Sequence, residues 1–198
     1  YTPVETYGLD QTRYFMLREV PFGNDGDFSH RAMVNRINND LANDFGNLAQ
    51  RSLSMIYKNC GGAIPEPGAF TDGDRAMLNA ADGLLARIRP EVERQAFNRA
   101  LEAVWDVVAQ ANRYVDEMAP WVLRKTDPPR MGTVLYVLAD VVRQLAILTQ
   151  PFMTKGPAAL LDQLQQPQDA RDFAALATRL EPGRAIQKPQ GVFPRYVE

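Results

Sequence analysis

Two stretches of this sequence carry hydrogen-bonding and stacking chemistry at a readable spacing. "NRINNDLANDFGNLAQR", residues 35–51, repeats asparagine at 35, 39, 43 and 47 and puts Arg51 at the next step of four. Asparagine is a mediocre helix former because its amide competes for nearby backbone groups. A stripe of amides therefore needs a reason on a segment whose apolar residues Ile37, Leu41, Phe45 and Leu48 keep helical spacing. An amide offers donors and an acceptor, and a guanidinium is a rigid fork of donors. Such groups read the edges of unstacked bases where an aromatic side chain holds the base. "EMAPWVLRKTDPPR" supplies the aromatic: Pro120 and Trp121 interrupt a helical pattern that ends at Met118, placing Trp121 at a corner, and Arg124, Lys125 and Arg130 follow it.

The same residues also have structural uses. On an α-helix each step of four drifts by about 40°, so Asn35, Asn39 and Asn43 share a face while Asn35 and Arg51 do not. Asn39 and Asn43 are a solvated face on one reading and base-contacting amides on the other. Asn47, beside Gly46, is expected to be buried and to tie neighbouring helices together, because a buried amide must find partners. A corner tryptophan serves either as a core anchor or as a base platform, whereas Trp105, inside an apolar stripe, is the core tryptophan by comparison.

The bulk numbers narrow the function classes. The 198 residues suffice for one large domain, or one domain with appendages. A net charge of −2 argues against a broad, sequence-blind phosphate-binding surface and leaves room for a small local site. The single cysteine, Cys60, excludes an internal disulfide and a cysteine-built zinc site. The single histidine, His30, removes Ser-His-Asp chemistry as a strong candidate and excludes two-histidine metal motifs. Neither G-x-x-x-x-G-K-[ST] nor G-x-G-x-x-G occurs, so no catalytic residue and no metal ligand is assigned. No run approaches about 18 consecutive apolar residues, and the opening "YTPVETYGLDQTRYF" lacks a signal-peptide pattern; the expectation is a reducing cytoplasm without membrane contact.

The elements that must position the two stretches are helices. The spacing predicts a short helix over 9–19 ended by Pro21, then a turn, "FGNDGDFS", from which Ser29 or Asp27 caps a long helix over 30–59 stopped by Gly61 and Gly62. Thr71 with Asp74 resembles a capping box and opens a helix over 72–88, broken or kinked by Pro90. A third helix over 92–118 lines Phe97, Leu101, Val104, Trp105, Val108, Val115 and Met118 along one face. Residues 131–150 are almost continuously apolar and so central. A short helix from Pro157 to about Leu164 and another over 168–179 follow, and the tail has no period, with Val192 and Phe193 as surface anchors. The class is all-α, an antiparallel helical bundle.

Four segments in this order, "YGLDQTRYFMLREVPFGNDGDFS", "RINNDLANDFGNLAQR", "ANRYVDEMAPWVLRK" and "LAILTQPFMTKGPAALLDQL", resemble the C-terminal part of bacterial methionyl-tRNA synthetases of class I, across essentially the whole chain. The resemblance implies an anticodon-binding domain that recognises CAU on the methionine tRNA. It implies that Trp121 of the A-P-W corner, after Pro120, stacks on an anticodon base, that Asn39 or Asn43 contacts the first anticodon base, and that Arg51 is the accompanying arginine. It further implies a parent ligase that uses ATP and magnesium in a catalytic domain N-terminal to residue 1. One histidine cannot make that domain's H-I-G-H motif, and "MTKG" at 153–156 is not its K-M-S-K-S loop. The chain is then expected to be inactive alone and without a cofactor of its own. Residues 1–28 would be a connector remnant, 29–166 the anticodon-binding bundle, and 167–198 a short helix and tail packed on it. Alternatives are another class I synthetase, of the valine or cysteine type, and a noncatalytic helical scaffold.

Overall fold

The structure, a computed structural model, describes residues 2–21, 23–26 and 28–197. Helices α1 (Thr2–Tyr7) and α2 (Leu9–Glu19) meet at Gly8, whose φ of 98° only glycine adopts without strain. The Ser29 hydroxyl accepts from the Ala32 N–H at 3.2 Å and opens α3 (His30–Asn35). Asp27, the other expected cap, lies outside the described residues. From α3 the chain continues through a π-helical segment (Arg36–Gly46) into α4 (Asn47–Asn59).

The expected rod over 30–59 is thus present, but its middle, Arg36–Gly46, is wound wider than an α-helix. Met33, Ile37, Leu41 and Phe45 are all buried at strict intervals of four. In an α-helix those intervals would wind the row around the axis. A helix closed by i→i+5 bonds holds more residues per turn, so such a row drifts in the opposite sense there. Beyond Gly46 the buried residues are Leu48, Ala49, Ser52, Leu53 and Ile56, the mixed three-and-four spacing of an α-helix. A Cβ on Gly46 would lie 2.8 Å from the Leu41 carbonyl oxygen five residues back, so glycine stands where the two windings meet.

The Thr71–Asp74 capping box forms with both of its hydrogen bonds and opens α5 (Asp72–Asp82). The single helix expected over 72–88 is instead two, because Gly83 relaxes from helical geometry before α6 (Leu84–Glu93). Pro90 lies inside α6, which ends three residues later. Gln95, in the left-handed region at φ 61°, delays α7 (Phe97–Met118) by five residues relative to the expected start. Ala119, also left-handed at φ 43°, then turns the chain into a helix not anticipated from the sequence, α8 (Pro120–Thr126).

The central helix is α9 (Pro128–Thr149). Its two prolines occupy the first turn, where no intrahelical N–H is needed, and the Asp127 carboxylate caps it through the Arg130 N–H at 3.1 Å. Every residue from Met131 to Thr149 is buried, and α4, α5, α7, α8 and α10 (Gly156–Gln163) pack around it. By length and apolarity α9 could cross a membrane, but it lies wholly inside the bundle as a core helix. The last expected helix is two short 3₁₀ turns, Gln168–Ala170 and Phe173–Ala177.

Polar ties hold the ends of the chain to this core. The Asp140 carboxylate accepts from Arg143 Nε at 2.9 Å and from the Leu180 N–H at 3.0 Å, and Arg179 bridges Asp140 and Asp82. The Asp10 carboxylate accepts from the N–H groups of Thr154 (2.8 Å), Lys155 (2.9 Å) and Gly156 (2.6 Å), docking α2 against the start of α10. The tail is anchored by buried Phe193, packed on Phe45, with half-buried Val192 beside the core. Among the described residues the only β pairing is the isolated bridge between Ala63 and Ala185.

Candidate nucleic-acid interface

The left-handed turn at Ala119 aims the two residues that follow it differently. Pro120 is buried, while the Trp121 indole is 42% exposed. Across from it, α4 brings Arg51, whose guanidinium carbon lies 5.3 Å from the centre of the Trp121 ring, within cation–π range. The same guanidinium donates to Asp116 on α7 at 3.0 Å. A hollow of about 280 Å³ lies against the pair, lined by Arg51, Ser52, Met55, Val115, Pro120 and Trp121 among others. Three of the five sequence-predicted residues, Pro120, Trp121 and Arg51, are therefore brought to one place.

The asparagines divide. Asn47 is exposed, not buried as its place beside Gly46 suggested. It opens the α-helical half of the rod, so Arg51 lies one turn further on the same face. The core side of that turn is already filled by Gly46, Leu48 and Ala49, which leaves the amide to solvent. Asn43 lies one step of four before Asn47, half-buried, and its Oδ1 accepts from Arg195 of the tail. Asn39, with Asn35, borders a separate polar hollow of about 240 Å³ against α2, which also takes in Glu19, Arg36 and Asp40. A row of Asn43, Asn47 and Arg51 thus leads along the rod to the Trp121 corner. Helix α7 runs beside it, with the Asn112 amide donating to the Asp44 carbonyl at 3.2 Å and Asp116 holding Arg51.

Neither Asn38 nor Arg195 stands out in the sequence. The Asn38 amide grips the backbone of Tyr196 at both groups, donating to its carbonyl at 3.2 Å and accepting its N–H at 2.8 Å. The pairing of this segment with a tail more than 150 residues away had no readable signal. Asn47 carried a signal in its four-residue step to Arg51.

Not every basic residue after Trp121 is available. Arg130 is folded inward onto Asp74, with Nη1 at 2.5 Å and Nη2 at 2.8 Å from the carboxylate oxygens. Burial pushes the Asp74 carboxyl up, but hydrogen bonds from Arg130, Tyr114 and the Thr71 N–H outweigh it and bring the pKa down to about 2. Burial and the nearby Asp74 charge raise the Tyr114 phenol above its ordinary value, so it stays a donor. Arg124 and Lys125 remain exposed on α8.

The sequence and the helical fold that carry this corner are matched by known proteins. The family model described as the anticodon binding domain of methionyl tRNA ligase covers residues 64–198, and that of class I tRNA synthetases (M) covers residues 2–53. The chain belongs to the methionyl-tRNA ligase family. A methionine–tRNA ligase of Brucella melitensis is 58% identical over 98% of this chain, and the chain spans 38% of that relative's length. The solved apo methionyl-tRNA synthetase of Mycobacterium tuberculosis superposes with a TM-score of 0.98 at 52% identity, covering 100% of this chain and 40% of that one. The same mycobacterial enzyme in complex with methionyl-adenylate superposes with a TM-score of 0.96. The all-α class expected from the sequence is that of the matched part of these structures, and the matched anticodon-binding family is the methionine one, not the valine or cysteine type.

Proposed function

We propose that this chain is the part of a methionine–tRNA ligase that reads the CAU anticodon, and that the Trp121 corner with the Asn43–Asn47–Arg51 row is the reading site. The observation that carries this is the exposed Trp121 ring with the Arg51 guanidinium already lying over it, inside a family matched as anticodon-binding. A base stacked on Trp121 presents its edge to the rod. Cytosine offers acceptors at O2 and N3, which suit a guanidinium fork, and an N4 donor, which suits the amide oxygen of Asn47. Uracil replaces N4 with an acceptor and N3 with a donor, so the same groups would be mispaired. Asn39, set back beside α2, is the more distant of the two expected asparagines along the row, and Asn43 the nearer.

On this reading the parent enzyme attaches methionine to its tRNA in the cytoplasm, using ATP and magnesium in a catalytic domain that this chain does not include. The acidic balance of the chain suits recognition by a few base-edge contacts over a wide basic surface. Titrating the purified chain with RNA hairpins carrying CAU, GAC or GCA in the loop tests the proposal. The CAU hairpin should bind at least about tenfold more tightly than the others, since a mispaired base edge costs on the order of 1–3 kcal/mol. Equal binding of all three, or binding of none, would overturn the proposal that this chain reads CAU.

A further inference from the structure

The tail crosses the rod at the far end of the proposed row, and it does so at fixed points. Phe193 is buried against Phe45, with ring centres 5.6 Å apart, and sits over Gly156, where a Cβ would come within 2.3 Å of its ring. The Tyr196 backbone is gripped by Asn38, and its ring lies 5.3 Å from that of Tyr7 and 5.4 Å from that of His30. Arg195 stands between these two anchors, so its backbone position is set even though its side chain is exposed. From there its guanidinium donates to Asn43 Oδ1.

That contact has only one chemical sense. A guanidinium has donors and no acceptor, so the Asn43 amide must turn its oxygen to Arg195. Its Nδ2 donors then point away from the tail. A free amide on a half-buried position would flip between two faces and discriminate poorly between a base acceptor and a base donor. We infer that Arg195 is a positioning residue: it locks the Asn43 amide with its donor face toward bound RNA, so that this position reads an acceptor. The inference rests on the anticodon-reading proposal above, and assigns the tail a part in specificity in addition to its packing.

Arg195→Gln and Arg195→Leu separate orientation from charge. Glutamine keeps a donor for Asn43 Oδ1 and loses the charge; leucine loses both. Both variants should melt like the unaltered chain, because the side chain is exposed. The readout is the ratio of dissociation constants for the CAU hairpin and for hairpins with one anticodon base changed. Arg195→Leu should lower that ratio about tenfold for one base, the worth of one hydrogen bond, and Arg195→Gln should keep it within about twofold. If both variants weaken all hairpins alike, with a shallower salt dependence, Arg195 is a phosphate contact and the inference is wrong; it is equally wrong if neither changes the ratio. Trp121→Ala, run in parallel, tests the underlying reading: undiminished CAU binding there would sink the site itself, whereas weakened binding with an unchanged Arg195→Leu ratio would sink only the role of the tail.

Discussion

Two arginine–carboxylate pairs flank the end of α7. On one side Arg130 meets Asp74, with side chains 19% and 0% exposed; on the other Arg51 meets Asp116, at 35% and 66%. The chemical groups are the same, but Arg130 makes two bonds at 2.5 and 2.8 Å and Arg51 a single one at 3.0 Å. Asp74 is surrounded, taking two bonds from Arg130, one from the Tyr114 hydroxyl at 2.5 Å and one from the Thr71 N–H at 2.9 Å. Asp116 is open to water, and its arginine lies over an exposed indole. The closed pair fixes where α5, α7 and α9 meet. The open pair leaves its cation stacked and reachable. Burial, not the identity of the partners, decides which arginine belongs to the fold and which is free to meet a ligand.

The largest effect that tests this contrast is at the closed pair. Arg130→Ala leaves a fully buried carboxylate without its cation, a change that costs about 3–5 kcal/mol. For a chain of this size that lowers the melting temperature by roughly 10 °C. A calorimetric melt that shifts by only a degree or two would show that the closed pair is as dispensable as a surface one.

Trp121→Ala should act on binding and spare the fold. Removing a stacking platform costs about 1–3 kcal/mol per base, a roughly tenfold to hundredfold loss of affinity for the CAU hairpin. The melt should stay close to that of the unaltered chain, because the ring is half in water. An early melt with little loss of binding would make Trp121 a core anchor and move it to the closed side of the comparison.

Acid probes the closed pair directly. The Asp74 pKa is depressed to about 2, so its stabilisation is complete above about pH 4 and is lost as the pH falls through 2. The shift corresponds to about 2 kcal/mol. Denaturant midpoints measured from pH 5 down to pH 2 should fall more steeply in the unaltered chain than in Asp74→Asn. Parallel curves would mean that the carboxylate is not held as tightly as its four hydrogen bonds suggest.

Much of this architecture was legible in the sequence, and the failures have physical causes. The apolar periods located α2, the long rod, α7 and α9, because those patterns follow directly from burial on one face or all round. Pro120–Trp121 was readable as a corner because the helical pattern stops at Met118. The two prolines at 128–129 read as punctuation although they begin α9; a proline suits a first turn as well as a break. Asn47 was misplaced because an α-helical drift was applied across a segment that is π-wound up to Gly46, which changes the face each later residue meets. The sequestering of Arg130 could not be seen, since it depends on α5 arriving from 56 residues away.

That correction reverses the expectation for Asn47. Asn47→Ala should now leave the melt within about 0.5 kcal/mol, as an exposed substitution does. It should weaken CAU-hairpin binding about tenfold, the loss of one base-edge hydrogen bond. Melting and titration of this one variant decide the matter: a destabilised fold with normal binding would restore the structural role and shorten the row to Asn43 and Arg51.

The smallest expected effect belongs to the open pair itself. Asp116→Ala removes a carboxylate that is 66% exposed and makes one 3.0 Å bond to Arg51. Exposed ion pairs contribute about 0–1 kcal/mol, because water already solvates both groups and salt screens what remains. Arg51 keeps its place over the Trp121 ring, worth about 0.5–1 kcal/mol at an exposed site, so it is not left without a partner. The stability loss should therefore stay near or below about 0.5 kcal/mol and shrink further in high salt. Set beside Arg130→Ala on the same denaturation assay, the ratio of the two losses measures the contrast directly. If Asp116→Ala destabilises as much as Arg130→Ala, the corner is closed in solution, and neither Arg51 nor Trp121 is free to read RNA without first breaking the fold.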